Sequence, residues 1–129
     1  GFTRNMNLVI GDISQDKSDL SKIYERAIQQ VLTICPKAKL IFKEEDFIFQ
    51  GLPAIRHRID WIPQTEERQV ISLYQIQVAD KNKNNLYTIS FTTLKEDFEK
   101  SRPLFDNIAN TFRIWQQIGI VTIFIDKSR

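Results

Sequence analysis

His57 is the only histidine and Cys35 the only cysteine in this 129-residue chain, so the choice of chemistry is narrow from the outset. A metal centre needs several His, Cys, Asp or Glu ligands brought together. These two residues fall in different predicted elements with no ligand spacing between them. His57 sits on the apolar face of a predicted strand, where a structural role is expected. The run Lys43-Glu44-Glu45-Asp46 could offer carboxylate ligands, but such a charge run is expected to be solvated. Nucleophilic catalysis asks for a Ser, Cys or Thr with a base and an orienting group. One histidine leaves few options, and no G-x-S-x-G elbow is present. The four glycines, at positions 1, 11, 51 and 119, lie too far apart to cradle a phosphate. Adjacent carboxylates, Glu44/Glu45 and Glu66/Glu67, would point to opposite faces of a strand, unsuitable for shared acid–base work. No catalytic residue, metal ligand or cofactor is assigned, and the chain is expected not to be an enzyme.

The remaining candidates are surface groups. Arg56, Arg58 and Asp60 share one face of a predicted strand. They read either as a solvent-exposed row with an ion pair, worth little, or as a docking surface for a partner, where Arg and aromatic residues are favoured. Trp61 and Tyr74 read either as core or as anchors of the same surface. Arg56, Arg58, Trp61 and Tyr74 are therefore the candidate partner-binding residues. Cys35, at the end of an apolar helical pattern, is expected to be a buried, inert thiol.

The elements that must position these groups follow from periodicity. Residues 6–13 read as a strand. Ser18 is the expected N-cap of a helix in which Leu20, Ile23, Tyr24, Ala27, Ile28, Val31 and Leu32 recur at steps of three and four, and Pro36 stops it. Residues 38–51 form one strand with an irregular middle at Lys43–Asp46, or two strands. Gly51 and Pro53 punctuate a turn. Residues 54–62 alternate, and residues 69–79 are apolar on both faces, as in a strand covered on both sides. A polar hairpin tip at 80–85 leads into an alternating strand at 86–93. A short helical turn follows. Ser101 is then expected to cap a new helix with Pro103 in its first turn, where the missing N–H costs nothing, and with Phe105, Ile108, Ala109 and Phe112 as its apolar stripe. Residues 118–125 form a β-branched run, expected to be a buried strand at a sheet edge. The order β–α–β–β–β–β–α–β argues one α+β domain with a largely antiparallel sheet.

Composition agrees. The chain is 42% hydrophobic and 26% charged, ordinary for a soluble domain. Its formal charge of +2, with basic residues interleaved with acids, argues against nucleic acid. No apolar run approaches the roughly 18 residues of a membrane span.

The order of elements also resembles a known family. "GF-x-R-N-x-N" opening the first strand, the amphipathic helix, "GLPA" at 51–54, and the run from Gln75 through "YTISFTT" to "NIANTFRI" resemble the DcrB/PsbP-like family over residues 1–114. The resemblance implies an α/β/α sandwich, the PsbP-like fold, with an amphipathic helix on each side of the sheet. The strand at 118–125 is an addition to the family pattern. Members include bacterial envelope lipoproteins and PsbP subunits of photosystem II; a related branch serves as adaptor chaperones for type VI secretion effectors, and a nuclear Ran-binding protein shares the fold. None of these roles rests on a shared catalytic triad. The resemblance therefore implies a non-catalytic accessory domain that binds a protein partner at the cell envelope, in the periplasm or in a thylakoid lumen. The alternative is a cytoplasmic adaptor chaperone for a secreted effector, and a homodimer is left open.

Overall fold

The computed structural model describes residues 3–64, 68–111, 113 and 121–126, with backbone alone for 121–124. Strand β1 (Asn5–Asp12) is followed by helix α1 (Leu20–Ile34). Four strands come next: β2 (Lys39–Phe49), β3 (Leu52–Trp61), β4 (Ile71–Asp80) and β5 (Asn85–Leu94). A 3-10 turn at Lys95–Asp97 leads into α2 (Phe98–Thr111), and β6 (Val121–Phe124) closes the order. The strands form one sheet in the order β2-β3-β4-β5-β1-β6. Every neighbouring pair is antiparallel.

Strand alternation divides the apolar residues between two layers. On one face Met6, Leu8, Tyr74, Ile76, Ile89 and Phe91 pack with Phe98, Phe105 and Ala109 of α2. Phe91 and Phe105 stack with centroids 4.7 Å apart. On the other face Ile55, Ile59 and Ala79 pack with Ile23, Tyr24 and Ile28 of α1. The result is the expected α+β sandwich, with a helix on each side of an antiparallel sheet. Full burial of each phenylalanine contributes about 2–3 kcal/mol of transfer free energy. Tyr24 adds a directional tie: its hydroxyl donates to the Pro53 carbonyl at 2.9 Å and accepts the Ala79 N–H at 3.1 Å. One side chain thus fixes α1 against both β3 and β4.

Local details depart from expectation at the start of each helix, and at β2 one of two alternatives is realised. The N-cap of α1 is Asp19, not Ser18: its carboxylate accepts the Lys22 N–H at 3.1 Å. The Ser18 hydroxyl oxygen instead accepts from Arg26 Nη1 at 3.3 Å. Residues 39–49 form one strand, and the charged middle is absorbed by register shifts at Leu40/Phe42 and Glu44/Phe47, as β-bulges do on edge strands. Finally, Ser101 does not start a helix. Fully buried Phe98 begins α2 directly after the 3-10 turn, and Pro103 lies inside the helix. Pro103 cannot donate to the Glu99 carbonyl one turn back. Ser101, also buried, instead accepts a hydrogen bond from Arg4 Nη1 at 3.0 Å.

The β2–β3 turn places Gln50 at φ 50° and Gly51 at φ 84°. A two-residue hairpin loop with both residues left-handed matches the strand twist, and glycine takes that conformation without steric cost. Phe112, Glu66, Glu67 and residues 118–120 lie outside the described residues.

The last strand occupies a sheet edge, pairing Leu8 with Val121 through Asn5 with Phe124. Just beyond it, the Ile125 N–H donates to the Arg4 carbonyl at 2.9 Å. The Arg4 guanidinium grips Asp126 with contacts of 2.5 and 2.7 Å. Removing residues 116–129 leaves the Asn5–Leu8 edge of β1 without a partner strand and strips this fork. The melting temperature is expected to fall by on the order of 10 °C in a calorimetric scan. An unchanged value would mean that β6 contributes nothing to the folded state.

Candidate interaction surface

The four candidate residues do not share one surface. Arg58 and Tyr74 face α2 and are buried; Tyr74 has no exposed area. Arg58 forms a two-pronged ion pair with Asp60, Nε to Oδ1 at 2.9 Å and Nη2 to Oδ2 at 3.0 Å. Its guanidinium lies 4.2 Å from the Phe98 ring centroid. Asp60 also accepts the Ser72 hydroxyl at 2.7 Å. The row is therefore not a solvent-exposed face: the aromatic wall of α2 covers it. Tyr74 donates to Asp106 Oδ1 at 2.8 Å. Burial, followed by the bond to Asp106, pushes its phenol up to about 12, so it is a neutral donor at any ordinary pH.

Arg56 is half-buried and belongs to a second network. Arg56 and Arg102 clamp the two oxygens of Glu44, at 3.0 and 2.5 Å. Burial alone would raise the Glu44 pKa, but the bonds from Arg102 and Arg56 outweigh it and hold the carboxyl below its ordinary value. Arg56 also lies over Phe47, and Arg102 over Phe42. These contacts fasten α2 to the bulged middle of β2 and give the charge run at 43–46 a structural use.

His57 lies on the α1 face, fully buried, with Nε2 2.7 Å from Gln75 Oε1. Gln75 in turn donates to Ser90 at 2.9 Å. Nδ1 has no hydrogen-bond partner among the described residues. Burial lowers the His57 pKa to about 4, against the opposing effect of Gln75 and with a further push from Lys43. It is a neutral interior group. Cys35 is half-buried, and burial pushes its thiol up, away from reactivity. Among the described residues no three His, Cys, Asp or Glu side chains form a metal-binding group. No described helix is long and apolar enough to cross a membrane.

What is exposed lies elsewhere. β2 is a terminal strand of the sheet, and Leu40, Ile41 and Ile48 project from it, 40%, 46% and 66% exposed. Trp61 is half-buried in a groove of about 400 Å³ at one end of β2 and β3. Its floor includes Ile41, Ile62 and Val70, and Lys37, Lys39 and Lys95 also line it. The three lysines were not singled out from the sequence. Lys37 precedes β2 and Lys39 opens it, whereas Lys95 follows β5, and only the strand order brings them together. A lysine flanking an apolar strand is too common a pattern to have marked them.

No family model matches the chain, and no curated protein sequence matches it. Solved structures similar in fold include two crystal structures. One is PA94 of Pseudomonas aeruginosa, a protein of unknown function suggested to be a regulator; it is 19% identical, with a TM-score of 0.68, over 88% of this chain and 75% of that one. The other is the Saccharomyces cerevisiae Ran-binding protein Mog1p, 11% identical with a TM-score of 0.53, over 79% of this chain and 56% of Mog1p. At these identities the likeness is one of fold, an α+β sandwich that the chain shares with both proteins.

Proposed function

We propose that the chain is a non-catalytic, protein-binding accessory domain of the DcrB/PsbP-like type, working at the cell envelope or in a lumen. One observation carries the reading: half of the large apolar side chains exposed among the described residues, Leu40, Ile41 and Ile48, lie along the terminal strand β2. An edge strand with unpaired backbone groups and apolar side chains is a template for an added strand. Elsewhere, the interior charges are spent on one another: Arg58 on Asp60, and Arg56 and Arg102 on Glu44. The Ran-binding role of Mog1p, on a similar fold, is in keeping with a protein partner.

The test is site-specific photocross-linking in the native cells. A benzophenone side chain at position 41 or 48 is expected to give a discrete adduct with one identifiable protein. The same probe at position 29, on the exposed side of α1, gives none. Ile48→Asp in the position-41 protein should suppress the adduct. Equal adducts at all three positions, or none at 41 and 48, would reject the docking edge. An adduct with a second copy of the chain would make the partner the chain itself. Fractionation of the same cells checks the compartment.

A further inference from the structure

The groove beside Trp61 has a composition that the fold does not require. Its floor is apolar, from Ile41, Trp61, Ile62 and Val70, and Lys37, Lys39 and Lys95 are all exposed at it. The one carboxylate among its described lining residues, Asp60, is buried and engaged by Arg58 and Ser72. None of the three lysines forms an ion pair with a described residue. The concavity itself is held by backbone bonds between separate segments. The Ile62 N–H donates to the Pro36 carbonyl at 3.1 Å, and the Lys95 N–H donates to the Val70 carbonyl at 3.0 Å. Lys37 is kept at φ 54°, a left-handed conformation uncommon for a residue with a side chain. The site is thus preformed: an indole and aliphatic floor under a rim of three lysines with no ion pair among the described residues.

We propose that this groove binds a short acidic peptide segment of the partner, one in which Asp or Glu alternates with large apolar residues. The proposal rests on the protein-binding reading above and names the chemistry of what is bound. Charge complementarity selects the acidic side chains. The apolar floor, which continues into Ile41 on the β2 edge, selects their neighbours. In an extended segment, alternate side chains point to opposite sides, so one set can reach the floor while carboxylates on the flanks meet the lysines. A nucleic acid would also be drawn to three lysines. It would need a longer basic track than this, however, and the chain carries a formal charge of only +2.

The experiment titrates a fluorescently labelled, end-capped peptide of alternating leucine and glutamate against the full chain and follows its anisotropy. Saturable binding is expected, weakening as salt is raised. Three exposed ion pairs together are worth roughly a tenfold change in Kd. Changing Lys37, Lys39 and Lys95 together to Glu should therefore weaken binding by at least about that factor, and Lys83→Glu at the far hairpin tip should leave it unchanged. Trp61→Ala should weaken binding with the salt dependence retained. The lysine variant alters only exposed side chains, and an unchanged melting temperature confirms that it is folded. No binding by the wild type, equal binding of a leucine–glutamine peptide, or tighter binding of a single-stranded oligonucleotide would each overturn the proposal. If any of these occurred while position-specific cross-links at 41 and 48 persisted, the groove assignment would fail and the protein-binding reading would stand.

Discussion

Asp60→Ala is expected to cost about 3–5 kcal/mol of unfolding free energy, because it leaves a buried guanidinium without its counter-charge. Arg58 and Asp60 have side-chain exposures of only 11% and 8%, and both prongs of the pair are within 3.0 Å. Two other contacts remain to Arg58. The Phe98 ring lies under it, and Glu99 stands 3.9 Å away on an 87% exposed side chain. A solvated carboxylate at that distance recovers little, since exposed pairs are worth about 0–1 kcal/mol. The Ser72 hydroxyl also loses its acceptor. Replacing both partners, Arg58→Met with Asp60→Leu, removes the charge together with its counter-charge. The double variant should unfold at a urea concentration much closer to wild type than Asp60→Ala does. A loss below about 1 kcal/mol for Asp60→Ala would mean that Arg58 swings out to solvent, away from its place over the Phe98 ring.

This pair shows what a sequence can and cannot display. Strand alternation places Arg58 and Asp60 on one face, and that much is legible. Whether the face is wet or dry depends on Phe98, a residue far along the chain that belongs to another layer. The same division runs through the fold. The steps of three and four in α1 and the alternation of Tyr87, Ile89 and Phe91 are local consequences of helix and strand geometry, and both elements formed where expected. The start of α2 was misplaced because Ser101-Arg102-Pro103 is a good local start signal. Burial of Phe98 against Phe42 and Tyr74 begins the helix earlier, and tertiary packing outweighs the cost of a proline inside it. Ser18 and Asp19 are both good caps, and in the fold the Asp19 carboxylate takes the Lys22 N–H while the Ser18 hydroxyl oxygen meets Arg26. Among the candidate surface residues, Tyr74 was drawn inward by the α2 contact, and Trp61 alone lies in the basic groove. The lysines around that groove gain meaning only through the sheet order.

The second large effect is a pH dependence set by His57. Its pKa falls from 6.5 to about 4 on folding, chiefly because burial disfavours the charged ring. In this window the unfolded chain takes up a proton that the folded chain does not, so stability falls as pH drops from about 6.5 towards 4. The drop attributable to this one group is about 3 kcal/mol, and it levels off below pH 4, where both states are protonated. Gln75 cannot prevent this, because its Oε1 already meets Nε2 at 2.7 Å. A proton added at Nδ1 finds no acceptor among the described residues, and Lys43 repels the charge. Carboxylates act lower on the scale. The Asp16 carboxyl is held at about 2 by the Ser18 N–H and by Arg26; its contribution, present above the ordinary carboxyl value, is lost only as pH falls from about 3.8 towards 2. The two windows therefore separate. In His57→Gln the amide can still donate to Gln75 but cannot titrate. Urea midpoints measured from pH 7 to pH 4 are expected to slope steeply for the wild type and to be nearly flat for the variant. Parallel profiles would show that His57 is protonated in the folded state, with a water or a neighbouring group accepting from Nδ1.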